Sequence, residues 1–121
     1  MTDAKHYRWE ELVREELSPT IGRRLITGTD LMIAHVYLAK GAVVPKHEHH
    51  NEQLTYILEG VLRFRLGDDE SHVVDVHAGE VLTIPPNVPH TAEALEDTVD
   101  VDVFTPPRED WLDGSDAYLR R

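Results

Sequence analysis

Cysteine is absent from the 121-residue chain, which excludes disulfides, thiolate metal sites and cysteine nucleophiles. Basic residues are scarce, with 12 Lys and Arg against 23 Asp and Glu, and the formal net charge is -11. Such a surface repels phosphate backbones, so we expect no nucleic-acid partner. An anionic small molecule would need a local positive feature in order to bind.

Long apolar runs are also absent. No stretch has the length and apolar character of a signal peptide or a membrane span, and the opening segment MTDAKHYRWEELVREEL is polar and charged. The sequence therefore predicts no membrane partner and a cytoplasmic location. Its length predicts one domain, over residues 1–121, around one hydrophobic core.

Short runs rich in Val, Ile, Leu, Tyr and Phe, separated by turn signals, indicate an all-β fold. Many short strands in a small domain favour a sandwich or barrel. Near the N-terminus, RWEELVREEL has apolar residues at helical spacing and predicts a short helical segment. LEG, LGDDE and HAGE predict hairpin turns. Residues from about 107 to 121 predict an outer tail or short helix.

The stretch KGAVVPKHEHHNEQLTYILEG places three histidines and a glutamine just before an apolar strand. Side chains two apart on a strand share a face, so His47 and His49 can meet one metal ion, while His50 faces away. Gln53 follows four residues later, and His90 in IPPNVPH is a candidate from another strand end. Imidazole suits several divalent metals, and the alternative is that these residues are only solvated.

Two motifs resemble those of the cupin superfamily. Residues 41–60 read Gly, five residues, His-x-His, three residues, Gln, six residues, Gly, and residues 79–90 carry the second motif. Asn87 stands where glycine is usual, and Asn also tolerates a left-handed backbone. The resemblance implies a double-stranded β-helix, or jelly-roll barrel, with a divalent ion of zinc, nickel, iron or manganese. It also implies the ligands His47, His49, Gln53 and His90.

Gln53 is a departure, because cupin dioxygenases typically have a carboxylate at this position. Four neutral ligands leave a bound dication with its full formal charge, so the site should attract a carboxylate or carbonyl oxygen. An acidic protein could then hold an anion at its buried metal. The alternative is that Gln53 is a weak ligand in a cupin without activity.

The second half is similar to the small pectin-degradation cupins, which open the ring of 4,5-unsaturated uronates. The similarity lies in TIPPNVPH and VDVDVFTPPREDWL. It implies an active-site acid at Asp102, an aromatic wall at Phe104 and a substrate-binding arginine at Arg108. The catalytic candidates are therefore Asp102 and Arg108, the substrate-binding candidates are Phe104 and Arg108, and the partner is a small anionic sugar acid. Arg63 and Arg65 are rival anion binders.

The alternation in VDVDVF has two interpretations, because it cannot say which face points inward. One buries the valines and leaves the aspartates in water. The other places Asp102 and Phe104 inside and leaves a valine face that a second subunit covers, which predicts a homodimer.

Three functions fit these residues. The first is ring opening of unsaturated uronates. The second is another metal-dependent cupin enzyme, an oxygenase or an isomerase, and activity without oxygen would separate an oxygenase from the first. The third is a ligand-binding cupin without chemistry.

Overall fold

A computed structural model describes residues 3–120, and this part of the chain folds into two antiparallel sheets that face each other. The strands are β1 Glu15–Ser18, β2 Ile21–Thr27, β3 Met32–Leu38, β4 Val43–His47, β5 Glu52–Glu59, β6 Val61–Leu66, β7 His72–His77, β8 Val81–Ile84, β9 His90–Ala94 and β10 Thr98–Thr105. A helix, α1, spans Glu109–Asp113. The all-β prediction is confirmed.

Six strands form one sheet in the order β1-β2-β3-β10-β5-β8, and four form the other in the order β4-β9-β6-β7. β10 lies between β3 and β5 and pairs with both over most of its length. In the smaller sheet, β9 pairs with β4 and β6. Strands distant in sequence are therefore neighbours, as expected for a jelly-roll barrel.

The core lies between the sheets and follows the period-two alternation of the strands. In β3 every second side chain is buried, from Met32 to Leu38, and in β6 Leu62 and Phe64 point inward. Near one end of the barrel, β5 and β10 differ from these strands, because their buried faces include polar side chains. These are Gln53, Thr55, Asp100 and Asp102.

The predicted N-terminal helical segment is confirmed only as a single 3-10 turn, Trp9–Glu11. The prediction that the helix continues through the rest of RWEELVREEL is wrong, because Glu15 and Glu16 belong to β1 and pair with β2. Val13 is 86% exposed, whereas Leu17 packs in the core from β1. Pairing with a neighbouring strand outweighs local helical spacing here.

One of the three predicted hairpins is confirmed, because LGDDE joins the paired strands β6 and β7. The other two are wrong: LEG and HAGE carry the chain from one sheet to the other. Gly60 in LEG has φ 86°, and a side chain there would collide with the carbonyl oxygen of Asp97. Asn87 also adopts the left-handed backbone, with φ 63°, as its glycine-like role predicts.

The C-terminal segment contains a short helix, as predicted, but it does not pack only on the outside. Trp111, Asp116 and Leu119 are buried, and Trp111 and Leu119 join the main hydrophobic core. Residues 106–120 thus close the barrel end toward which the polar faces of β5 and β10 point. Among the described residues, no helix is both long enough and apolar enough to cross a membrane.

Candidate metal centre

Three histidines meet at one end of the barrel. His47 ends β4 and His90 begins β9, and the two residues pair directly across these strands. His49 follows β4 by two residues, in the loop before β5. One ring nitrogen from each histidine lies within 4.8 Å of those of the other two. Strand register therefore positions two of the predicted ligands, and a loop positions the third.

The loop of His49 is anchored on both sides. The backbone N–H of Asn87 donates to the carbonyl oxygen of His49 at 2.8 Å, which links the two sequence motifs. Asn51 is buried, and its side-chain nitrogen donates to the carbonyl oxygen of Pro106 at 2.6 Å. These bonds tie the loop to the second motif and to the C-terminal segment, so His49 is held although it lies outside a strand.

The hydrogen bonds of the three rings define which nitrogen faces the centre. Each Nδ1 lies near a backbone carbonyl oxygen two residues away, at 2.8 Å for His47, 3.0 Å for His49 and 2.8 Å for His90. A carbonyl oxygen can only accept, so Nδ1 carries the proton and donates it. The Nε2 atom then has a lone pair for a metal ion.

Burial keeps the three imidazoles neutral. It lowers the pKa of His47 to about 3, with His90 as the next cause. It lowers the pKa of His49 to about 4, with the charge of Arg108 next, and it also lowers the pKa of His90. Neutral imidazole is the form that binds metals, so little proton competition is expected near neutral pH.

Gln53 presents its oxygen to the same centre. The side chain is buried on β5, and its amide nitrogen donates to Thr55 Oγ1 at 2.8 Å and to Asp102 Oδ1 at 3.4 Å. Because its nitrogen is held in this way, its Oε1 atom must point in the opposite direction. That atom lies 3.1 Å from Nε2 of His49.

The contact between His49 and Gln53 joins two lone-pair-bearing atoms, since neither Nε2 nor Oε1 carries a proton in these tautomers. Two acceptors facing each other repel. A cation bound to both would replace this repulsion by two ligand bonds, and ligand atoms about 2.1 Å from one ion lie roughly 3 Å apart. The residues therefore fit a divalent metal ion, and the neutral donor set is compatible with zinc, nickel, iron or manganese.

Asp102 lies directly beside these candidate ligands and is buried on β10. Thr55 Oγ1 donates to its Oδ1 atom at 2.7 Å, and Gln53 donates to the same oxygen. Burial raises the pKa of Asp102, whereas these hydrogen bonds and the charge of Arg108 oppose the rise. A carboxyl group in this setting can exchange a proton nearer to neutral pH than an ordinary aspartate.

Asp100 is a site residue that the sequence analysis did not predict. It shares the inward face of β10 with Asp102, is 4% exposed, and its Oδ1 atom has no hydrogen-bond partner among the described residues. Burial and the negative charge of Asp102 raise the pKa of Asp100 well above its ordinary range. Burial thus favours the protonated form of Asp100. The alternation in VDVDVF indicated that Asp100 and Asp102 share a face, but not that this face is internal.

Arg108 and Phe104 also line the cavity at the centre. Phe104 is buried, and the Arg108 guanidinium carbon lies 5.0 Å from its ring centroid and 4.9 Å from that of Trp111. Arg108 is 3% exposed and donates to Asp110 through Nε at 3.0 Å and Nη2 at 2.9 Å. The structure thus brings Asp102, Phe104 and Arg108 to the histidine cluster.

Tyr118 is a further site residue that was not predicted, because the sequence indicated an outer tail or short helix for the C-terminal segment. Its ring stacks on that of His47 with centroids 4.5 Å apart. Its hydroxyl oxygen accepts from Arg108 Nη2 at 2.7 Å and from Trp111 Nε1 at 3.0 Å. A lone tyrosine near a chain end carries no sequence signal for this position.

Two cavities meet at the centre. The inner cavity, of about 40 Å³, reaches Asp100, Asp102 and Gln53. An outer cleft of about 410 Å³ lies between the His49 loop and the C-terminal segment. His47, Arg108 and Tyr118 line both and separate them. The inner cavity has room for a few water molecules, whereas the cleft is within the range of small-molecule sites.

Several polar candidates lie elsewhere. His50 is exposed, as predicted, and His35 stacks on Trp9 outside the barrel. Arg63 forms a two-point pair with Asp75, at 2.7 and 2.9 Å, on the outer face of the smaller sheet. The remaining histidines described as exposed are His6, His72 and His77. The arginines of β6 therefore do not reach the cluster.

Comparison with known proteins agrees with this geometry. Residues 34–105 match the cupin domain family. The pectin degradation protein KdgF of Dickeya dadantii (strain 3937) is 32% identical over 106 residues, which is 85% of this chain and 94% of that protein. The structure of KdgF from a Halomonas species superposes with TM-score 0.82 at 27% identity, covering 89% of this chain and 98% of the other. An RmlC-like cupin from Shewanella frigidimarina gives TM-score 0.80 at 26% identity, covering 92% and 99%.

Proposed function

The chain belongs to the cupin family, and we propose that it is a metal-dependent enzyme that opens the ring of 4,5-unsaturated uronates. The observation that carries this proposal is the pair of facing lone-pair atoms of His49 and Gln53 next to the buried acid Asp102. This arrangement places a site that fits a cation next to Asp102, a carboxyl group that can donate or accept a proton. The Dickeya relative, named as a pectin degradation protein, supports the choice of substrate class.

The four candidate ligands are His47, His49, Gln53 and His90. A bound dication would supply a Lewis acid that attracts an oxygen atom of the sugar acid. Ring opening takes a proton from the hemiacetal hydroxyl while the bond from that carbon to the ring oxygen breaks. The products of this step are an aldehyde and an enolate, in which the former ring oxygen carries the negative charge, and a proton added to the enolate carbon gives the ketone. The reaction is an isomerisation and needs no redox partner.

Asp102 is the residue we assign to these proton movements. As a carboxylate it accepts the hydroxyl proton, and as an acid it delivers that proton to the enolate carbon. Thr55 fixes the carboxyl group through the 2.7 Å hydrogen bond, and burial gives it the raised pKa that two-way transfer requires. Burial and the charge of Asp102 raise the pKa of Asp100, and its protonated form would limit the charge in the pocket.

Arg108 is the residue we assign to the substrate carboxylate, because it is the cation shared by the inner cavity and the outer cleft. A guanidinium group binds a carboxylate by two parallel hydrogen bonds. Phe104 supports it from one side and excludes water from the centre. This local charge would let a protein of net charge -11 bind an anion.

Incubation of the purified protein with unsaturated uronates, combined with elemental analysis, tests the proposal. We expect loss of the conjugated double-bond absorbance, at equal rates with and without oxygen. Asp102→Ala should retain the metal and lose at least about 100-fold in kcat, whereas Asp75→Ala, outside the barrel, should match the unsubstituted protein. Dependence on oxygen would favour an oxygenase, and metal binding without turnover would favour a ligand-binding cupin.

We also propose that the protein is a homodimer through the outer face of the larger sheet. Leu54, Tyr56 and Leu58 point outward from β5 and are each about 41–42% exposed, next to Val81 on β8 at 57%. Such a continuous apolar row on a sheet favours contact with another copy. Sedimentation should give a dimer for the unsubstituted protein and a monomer for Tyr56→Arg. A monomer in both would contradict the proposal.

A further inference from the structure

The guanidinium group of Arg108 already holds a carboxylate. Its Nε and Nη2 atoms donate to the two oxygens of Asp110, and Nη2 also donates to the Tyr118 hydroxyl oxygen. This is the two-point geometry by which an arginine binds a carboxylate ligand. Burial acts to lower the pKa of Arg108, but the bonds to Asp110 prevail and raise it. Asp110 therefore occupies the same kind of contact that a sugar acid would make.

The position of this pair decides what an incoming anion meets. The inner cavity, at about 40 Å³, is too small to hold a whole sugar acid, so most of such a ligand must lie in the outer cleft of about 410 Å³, and only its reacting end can reach Asp102 in the inner cavity. The cleft wall contains the acidic residues Glu48, Glu109 and Asp110, and its one Lys or Arg among the described residues is Arg108. An anion in the cleft can gain a strong charged contact with the protein only at Arg108.

The two partners differ in how easily they can leave the pair. The side chain of Arg108 is 3% exposed and lies against the rings of Phe104 and Trp111, which also contact each other. The side chain of Asp110 is 34% exposed and can rotate into water, where the carboxylate is solvated again. A buried charge left without a partner carries a large desolvation cost. Exchange of one carboxylate for another avoids that cost, because Arg108 is never left unpaired.

We propose that Asp110 is an internal competitor for the anion site of Arg108, and that a carboxylate ligand binds in the cleft by displacing it. The inference rests on the proposed role of Arg108 in binding the substrate acid. The competition makes Asp110 a specificity-determining residue. A ligand that offers only one hydrogen bond cannot replace the two-point contact, whereas a carboxylate can. Neutral sugars therefore gain nothing at this site.

Titration of the full-length, metal-loaded protein with D-glucuronate tests this exchange. This acid has the carboxylate but no 4,5 double bond, so binding is measured without turnover. The indole N–H of Trp111, which donates to the Tyr118 hydroxyl oxygen, is the NMR reporter, and the chain has one other tryptophan. In the unsubstituted protein we expect a saturable shift of this resonance, from which a Kd is obtained.

Asp110→Asn should lower the Kd about two- to fivefold, the range expected when a partly exposed ion pair stops competing. The matched control is Asp113→Asn, which removes one charge from the same helix, keeps the acceptor for the Ser115 N–H, and should leave the Kd unchanged. In an Arg108→Ala background the gain from Asp110→Asn should vanish. Thermal unfolding of each variant confirms that it is folded.

An unchanged or higher Kd for Asp110→Asn would overturn the proposal, since Asp110 would then support Arg108 and not compete with the ligand. Absence of a saturable shift in both proteins would also overturn it, because Arg108 would not be an anion site. These outcomes are separate from the proposed reaction. A protein that binds D-glucuronate more tightly after Asp110→Asn, yet leaves unsaturated uronates intact, retains the exchange and loses the proposed function.

Discussion

Nη1 of Arg23 lies 2.7 Å from Oδ2 of Asp116, and both side chains are completely buried. The pair joins residues separated by 93 positions. It fastens the C-terminal segment to β2, and Arg23 also lies 4.4 Å from the Trp111 ring. Because this segment carries Arg108 and Tyr118, the ion pair supports the candidate site from a distance.

Asp116→Ala should therefore destabilise the protein strongly. Removing Asp116 leaves Glu15 as the remaining carboxylate partner of Arg23, at 3.1 and 3.2 Å, and loss of the buried bond should cost about 1.5–3 kcal/mol in the free energy of unfolding. Urea denaturation followed by circular dichroism measures the loss. The control is Glu11→Ala, which breaks the exposed pair with Arg8 and should cost under about 1 kcal/mol. Equal losses in the two variants would contradict the structural role of Asp116.

Metal binding should distinguish His49 from its neighbour. His49→Ala removes a nitrogen that faces the centre, and we expect metal affinity to fall by more than about 100-fold. His50→Ala alters an exposed ring outside the cluster and should leave one ion per chain. Elemental analysis and calorimetric titration provide the two readouts. If His50→Ala lost the ion as well, the four-residue site would be wrong.

The pH dependence of metal affinity follows from the histidine pKa values. Burial lowers that of His47 to about 3 and that of His49 to about 4, so both rings are already neutral at mildly acidic pH. Protons compete with the metal only when the pH falls toward these values. We expect similar affinity at about pH 7 and pH 5.5, with a steep loss near pH 4. A tenfold loss by pH 5.5, as for solvated histidines, would contradict burial of the site.

Gln53→Glu should separate metal binding from catalysis. The substitution adds a carboxylate beside Asp102 and removes the amide donor to its Oδ1 atom, so the pKa of Asp102 should rise further. Metal content should be retained, because the new ligand is anionic. We expect kcat to fall at about pH 7 and to recover as the pH increases and Asp102 ionises. Glu52→Gln, at an exposed neighbour, is the control, and an unaltered pH profile for Gln53→Glu would refute the coupling.

Asp100 should make the protein less stable as the pH rises. Its pKa is raised in the folded state, so the proton it binds stabilises folding below the pKa of the unfolded chain, near 4, and this contribution is lost at higher pH. In Asp100→Asn the side chain at this position cannot ionise, so this pH dependence is removed. Its unfolding free energy should therefore increase relative to the unsubstituted protein from about pH 4 to pH 8.

Asp75→Asn provides a control of opposite sign for this measurement. Hydrogen bonds from Arg63 lower the pKa of Asp75, so the stability that it contributes is present above the unfolded pKa and lost at low pH. Relative to the unsubstituted protein, this variant should lose stability as the pH rises. The same trend for Asp100→Asn would show that Asp100 is ionised in the folded state.

The candidate ligands could be predicted because their information is local. His47, His49 and Gln53 lie within seven residues of one another, so folding keeps them close together. The glycine-like role of Asn87 appears in the structure as a positive φ. The all-β class likewise follows from period-two apolar runs. The expected N-terminal helix was shortened to one turn, since β1 gains hydrogen bonds from β2 that a helix of that length would not match.

By itself, the sequence determined which residue types stand at which intervals, and this was sufficient to predict the barrel and the four candidate ligands. Only the tertiary structure decided that Asp100 and Asp102 face inward, because alternation defines two faces and wrapping of the sheet chooses between them. It also brought Tyr118 onto His47 and placed the local pair of Arg108 and Asp110 at the cleft beside the histidines. The buried pair of Arg23 and Asp116 supports this placement, and no local pattern encodes pairing between residues so far apart.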